Sequence, residues 1–228
     1  MSQTPHRFEH GPGAHDRISY LLHAPPAPPD ADSPGHPLVL YLHGSGERGS
    51  DLDLVKQQGL ARLVEERADF PMVVASPQCP AGAAWYRFPR TLLALLDHLL
   101  AREDVDPARV YLTGNSMGGY GTWGLAARHP SRFAAIAPIC GGGLRTDGFP
   151  ARLAALERVP VWAFHGALDR QVEPAESQRL VEGLREAGGE VRFTLYPDLG
   201  HDSWTRAYAD PALYAWLLTH ELHAGRDG

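Results

Sequence analysis

At 228 residues, with 43% hydrophobic and 21% charged residues, the chain is long enough to bury one large core, and its composition excludes a disordered or fibrous protein. A formal net charge of -6 and a pI near 6.0 give no electrostatic footprint for nucleic acid, whose phosphates would be repelled. Only two cysteines occur, Cys79 and Cys140, too few for a disulfide framework and in keeping with a reducing compartment.

The first twenty residues lack the basic start, apolar run and small-residue cleavage site of a secretory signal. The strongly apolar stretch "TLLALLDHLLA" is interrupted by Asp97 and His98 and is too short to span a bilayer. These features predict a cytoplasmic protein without membrane attachment, built as a single domain over 1–228.

"HRFEH" (6–10) and "RISYLLH" (17–23) flank a Gly/Pro turn and read as two antiparallel edge strands. "APPAPPDADSPGHP" (24–37) follows, and its proline density excludes helix and ladder alike, so it reads as an extended surface loop. From residue 38 to about 222 the pattern changes to short apolar runs: "LVLYLH", "MVVASP", "VYLTG", "AAIAPI", "VPVWAFHG" and "VRFTLYP". Continuous runs rather than strict alternation mean strands covered on both faces, as in a parallel sheet with helices on each side, hence an α/β class. The intervening helices are predicted near 51–68, 89–102, 117–129, 151–157, 174–187 and 207–222. Pro174 suits a first turn, and Gly188 with Gly189 suits a stop. No insertion is long enough for a separate lid domain.

The stretch "VYLTGNSMGGYGTW" (110–123) passes from strand to helix through a glycine-flanked serine. Such a turn holds Ser116 in a strained conformation with its hydroxyl projecting above the sheet edge, while the following helix N-terminus offers N–H groups to an anion. Packing alone can also produce a glycine-rich turn. A dinucleotide-binding reading fails, because "GNSMGGYG" puts a hydroxyl where close approach to a pyrophosphate would be needed. No cofactor is expected. No metal-ligand spacing such as H-E-x-x-H occurs, and no metal is expected.

A neutral serine needs a base, and the base needs an acid behind it. Downstream, "FHGALDRQV" places Asp169 just past a strand, and "YPDLGHDSW" places His201 after the next one. Of the twelve histidines, His43 and His165 sit at strand ends and read as packed there; His98, His129, His220 and His223 read as solvated; five more precede the core. His201 remains as the base. Asp169 is the preferred acid over Glu173, Asp198 and Asp202. Acyl chemistry also needs two donors for an oxyanion: the Met117 N–H, and one from "HGSGERG", where Ser45 is preferred and Gly44 is adjacent.

With these residues in place, positions 38 to 220 resemble the α/β-hydrolase superfamily, most closely its compact esterase and predicted-peptidase members, near the feruloyl esterase-like and phospholipase/carboxylesterase groups. The resemblance rests on "LYLHGSGERG", "SPQCP" with Trp85 following, "RVYLTGNSMGGYGTW", "FHGALD" and "GHDSW" in that order. It implies Ser116 as nucleophile, Asp169 as acid and His201 as base, brought together at the carboxyl ends of the strands. A cysteine at the elbow would resemble dienelactone hydrolases, and an aspartate dehalogenases or epoxide hydrolases; serine implies acyl transfer to water. The same likeness puts Cys79 and Cys140 several strands apart, too far for a disulfide.

The expected activity is hydrolysis of small carboxylic esters with short acyl, aryl or sugar groups. Trp85 and Trp204, with Gly44, are the candidate substrate-binding residues, because aromatic side chains in these loops would rim the site. The rival readings are a serine peptidase resembling the prolyl oligopeptidase catalytic domain and a non-catalytic binding protein on the same fold. Beyond a small-molecule ester, a homodimer is left open as a partner.

Overall fold

The computed structural model describes residues 3–13, 15–25, 34–67, 69–143, 148–149 and 151–222. The sequence readings for 26–33 in the proline-rich segment and for His223 lie outside these. Among the described residues eight strands form one sheet in the order β1-β2-β4-β3-β5-β6-β7-β8. β1 (Gln3–Glu9) and β2 (Arg17–His23) pair as an antiparallel hairpin, and β2 pairs antiparallel with β4 (Val73–Pro77). The remaining pairings, through β3 (His36–Leu42), β5 (Val105–Asn115), β6 (Ala135–Ile139), β7 (Val161–Gly166) and β8 (Val191–Tyr196), are parallel. This is the expected α/β architecture: a mostly parallel sheet with an antiparallel N-terminal hairpin, and no large lid among the described residues.

Alternate residues of β3 feed two separate cores, which is why its sequence is a continuous apolar run. Leu38, Leu40 and Leu42 pack with Leu92, Leu95 and Leu99 of α2 (Pro89–Leu100), with Trp123 of α3 (Met117–Arg128) and with Leu180 and Leu184 of α4 (Pro174–Glu186). Val39 and Tyr41 face the other side, against Leu60 and Val64 of α1 (Gly59–Glu66), Tyr208 of α5 (Trp204–Ala209) and Leu213 and Trp216 of α6 (Pro211–Leu217).

Three predicted helices differ in form. The helix near 51–68 is divided into a 3₁₀ segment, Leu52–Gln57, and α1, with Gln58 extended and Gly59 at φ +62. That left-handed glycine faces the Tyr41 hydroxyl at a place where a Cβ would collide with the ring. The helix near 207–222 is also two, because Asp210, preceding Pro211, is driven to an extended conformation and caps the Ala212 N–H at 2.9 Å. The segment near 151–157 is a single 3₁₀ turn, Leu153–Leu156. Cys79 follows β4 and Cys140 follows β6; both are buried free thiols, separated by three strand spacings of roughly 4.8 Å each.

Candidate active site

Ser116 is the residue between β5 and α3, and its backbone is at φ 54, ψ -116, a region that costs a non-glycine residue energy. The turn is possible because α3 starts directly against the end of β3. A Cβ on Gly114 would lie 2.5 Å from the Leu42 carbonyl oxygen and 2.6 Å from that of Gly118, and one on Gly118 would run into the same Leu42 carbonyl. The Ser116 N–H is anchored to the Ile139 carbonyl at 3.0 Å, and the first helical bond runs from the Tyr120 N–H to the Ser116 carbonyl at 3.0 Å. The Met117, Gly118 and Gly119 N–H groups therefore precede the first bond of the helix.

Asp169 lies three residues beyond β7 and His201 five beyond β8, so with Ser116 after β5 the three residues rise from the same end of the sheet, β6 lying between the first strand and the other two. The loops are stitched together: the Ala167 N–H donates to Tyr196 at 2.8 Å and the Leu168 N–H to Leu199 at 2.9 Å. His201 Nε2 is 2.9 Å from Ser116 Oγ, and its Nδ1 is 2.7 Å from Asp169 Oδ2. A carboxylate only accepts, so Nδ1 carries the proton and Nε2 presents its lone pair to the serine hydroxyl. Asp169 is buried, and its Oδ1 accepts the Gln171 and Val172 N–H groups at 2.8 and 3.0 Å. Burial alone would raise this carboxyl, but the hydrogen bonds from His201, Val172 and Gln171 outweigh it and hold the group below its ordinary value. Asp198 is tied bidentately to Arg206 at 2.8 and 2.7 Å, and Asp202 caps Thr205. Asp169 is the carboxylate hydrogen-bonded to His201.

His165 is buried as expected, but packing is not its whole environment. Its Nε2 faces the Val172 carbonyl at 3.0 Å and Asp169 Oδ2 at 3.2 Å, while Nδ1 is 2.8 Å from Ser177 Oγ. Both Nε2 neighbours are acceptors, so Nε2 is protonated and donates toward the same carboxylate oxygen that holds His201. Burial lowers the His165 pKa, against the acceptors around it. This second imidazole under Asp169 was missed from sequence; its position four residues before Asp169 at a strand end was the available signal. His220, read as solvated, instead packs edge-on against Trp216 with ring centroids 4.8 Å apart.

The loop after β3 is clamped from several sides. His43 is fully buried; its Nε2 accepts the Cys79 N–H at 2.9 Å, so Nδ1 bears the proton and donates to the Gly44 carbonyl at 2.5 Å. Trp85 Nε1 donates to the His43 carbonyl at 2.8 Å, and Gln78 Nε2 to that of Glu47 at 2.9 Å. Burial raises the Glu47 carboxyl against hydrogen bonds from the Gly44 and Glu47 backbones. The Gly44 carbonyl is thus taken by His43, whereas Ser45 is exposed. Of the three candidate substrate-binding residues, Trp85 lines a mainly apolar cleft of about 290 Å³ beside Ser116, Met117 and Tyr120. Gly44 and Trp204 do not line it. Trp204 stands edge-on to the His201 ring at 5.3 Å, bracing the imidazole.

The clamped His43 makes acid stability a test of this loop. Burial first, with Arg48 adding and the Gly44 carbonyl opposing, lowers its pKa from 6.5 to about 4. Between those values the unfolded chain binds a proton that the folded chain refuses, so the fold loses stability as pH falls. The expected loss between pH 7.5 and 4.5 is about 2–3 kcal/mol, read as a drop in the urea midpoint. His165 is lowered in the same direction and adds to it. In His43→Gln the drop should shrink by that amount; an equal drop in the variant would contradict the placement.

Among the described residues no group of three or more His, Cys, Asp or Glu side chains could hold a metal ion, and no helix is long and apolar enough to cross a membrane.

The dienelactone hydrolase family model matches residues 85–212, a span containing Ser116, Asp169 and His201. Among curated proteins, the chain is 30% identical over 180 residues to poly(3-hydroxyalkanoate) depolymerase C of Paucimonas lemoignei, covering 64% of this chain and 44% of that one. It is 26% identical to the carboxylesterase SOBER1 of Arabidopsis thaliana, covering 72% and 82% respectively. The crystal structure of a thermostable esterase superposes with a TM-score of 0.77 at 31% identity, over 96% of this chain and 63% of that one. The chain spans less than half the length of the first curated relatives it matches. Solved neighbours below 25% identity, peptidases and esterases both, share the fold. With eight strands in the matching arrangement and the family model spanning the loops that carry the site, the chain belongs to the dienelactone hydrolase family of the α/β-hydrolase superfamily, with a serine at its elbow.

Proposed function

We infer that this member of a hydrolase family is a serine carboxylic-ester hydrolase that works through an acyl-enzyme. The observation that carries the reading is the unbroken relay from Ser116 Oγ to His201 Nε2, 2.9 Å, and from His201 Nδ1 to Asp169 Oδ2, 2.7 Å. Ser116 Oγ attacks the ester carbonyl carbon while its proton passes to His201 Nε2, and Asp169 stabilises the imidazolium that forms. The negative charge on the carbonyl oxygen is met by the Met117 N–H at the head of α3 and by the Ser45 N–H from the clamped loop. His201 returns the proton to the leaving alkoxide, whose bond to carbon breaks. Water then attacks the acyl-enzyme, giving its proton to His201, and the acid departs as Ser116 recovers its hydrogen. No step calls for a cofactor or metal.

A panel of p-nitrophenyl esters beside peptidyl p-nitroanilides tests the reaction class. The expected result is ester turnover exceeding amide turnover by about 10³-fold or more in kcat/KM, since an amide nitrogen must be protonated to leave. Comparable rates on the two arms would favour the peptidase instead.

A further inference from the structure

The cleft beside Ser116 is long and follows one helix. Its floor is Met117, Tyr120, Gly121, Gly124, Leu125 and Arg128, the i, i+3, i+4, i+7, i+8, i+11 positions of α3. These form a single stripe, and from Met117 to Arg128 the helix advances about 16 Å. The opposite wall is Trp85, Tyr86 and Pro89, from the turn that leads into α2. Two of the floor positions are glycines. At Gly121 the helix packs directly on the wall, where a Cβ would lie 2.8 Å from Trp85 Cβ and 2.9 Å from Leu42 Cδ1, so floor and wall meet there and close the base of the groove.

We propose that this groove is an acyl-binding channel for an unbranched apolar chain of medium length, a proposal that rests on the serine-hydrolase reading of Ser116. Three observations argue for an acyl occupant of this shape. The groove starts at Ser116 and Met117, where the carbonyl of a bound ester must lie, and it leads away from them along the helix. Among the described residues its lining comes from 84–89 and 116–128, with none from the loop that carries His201. The leaving alcohol has to collect its proton from His201 Nε2, so it departs on the His201 side and the channel is left to the acyl part. The volume of about 290 Å³ holds about ten groups of water or methylene size, at roughly 30 Å³ each. Its length accommodates about a dozen carbons joined by bonds of about 1.5 Å. The sequence reading expected short acyl groups; the channel lengthens that expectation, because a groove between a helix and a loop shelters a chain along two sides.

The test is a chain-length series on the whole protein: kcat/KM for p-nitrophenyl acetate, butyrate, hexanoate, octanoate and decanoate. Ethyl, hexyl and decyl acetate form the alcohol arm, and Ser116→Ala is the control in both. The acyl arm is expected to rise about fourfold per added methylene until the channel is filled near eight to ten carbons, while the alcohol arm stays within about threefold. Gly124→Val puts a branched side chain halfway along the floor and should move the optimum to shorter acyl groups. Should that variant not fold, Tyr86→Ala on the half-exposed rim should lower the octanoate-to-acetate ratio by about tenfold. A flat or falling acyl series beyond butyrate, or a rise on the alcohol arm alone, overturns the channel. If no ester is turned over above the Ser116→Ala control, the hydrolase reading fails and the channel with it. Ser116-dependent turnover with a flat series sinks the channel alone.

Discussion

Ser116→Ala is expected to lower kcat/KM for p-nitrophenyl butyrate by about 10⁴-fold or more and to leave the urea midpoint almost unchanged. On the proposed mechanism the loss is large because the hydroxyl is the group that bonds to carbon. Fold stability is spared for local reasons. Ser116 is half-buried, its φ of 54 is equally uncomfortable for alanine, and its backbone N–H keeps the bond to Ile139. Residual activity would measure what the Met117 and Ser45 N–H groups and the cleft contribute without the nucleophile.

Asp169→Asn is expected to cost about 10³- to 10⁴-fold in kcat, and the reason lies in proton placement rather than charge alone. The asparagine oxygen would stay under the Gln171 and Val172 N–H groups, which supply donors at 2.8 and 3.0 Å. Its NH₂ would then occupy the Oδ2 position, facing His201 Nδ1 and His165 Nε2. His165 cannot turn its proton away, since that nitrogen also faces the Val172 carbonyl. His201 can respond only by moving its proton to Nε2, which leaves no lone pair for Ser116. Because both substitutions disable one relay, the double variant should be no slower than Ser116→Ala, a non-additivity visible in steady-state kinetics. Additive losses would mean that Asp169 acts independently of Ser116.

How much of this was legible in the sequence depends on the kind of signal. Strand positions and the α/β class followed from apolar runs such as "LVLYLH", because both faces of β3 are buried and the run is the direct imprint of that burial. Ser116, Asp169 and His201 were legible as candidates because each follows a strand and the chain order is constrained by the architecture. The breaks at Gln58–Gly59 and Asp210–Pro211 were different. The second carried a visible Asp-Pro signal, while the first depends on the Tyr41 hydroxyl, a contact made across the fold. The bracing of His201 by Trp204 and the pairing of His165 with Asp169 are also tertiary. A histidine at a strand end looks the same in sequence whether it meets a carbonyl or a carboxylate. Ser45 was preferred to the adjacent Gly44 from sequence, but the His43 ring that takes up the Gly44 carbonyl is held by the Cys79 N–H, a tertiary contact the sequence does not display. The channel along α3 was hidden for the same reason: it exists only where the turn at 85–89 packs beside the helix, a contact made across the fold.

The most direct test of the Ser116–His201–Asp169 relay is the intact mass of the folded protein after reaction with a fluorophosphonate, followed by peptide mapping. The serine oxygen bonds to phosphorus as fluoride leaves and His201 takes the proton. The expected result is one adduct per chain, on the peptide that contains Ser116, formed about 10³-fold more slowly in His201→Ala. An unlabelled folded protein, an adduct on another residue, or a labelling rate indifferent to His201 would contradict the account.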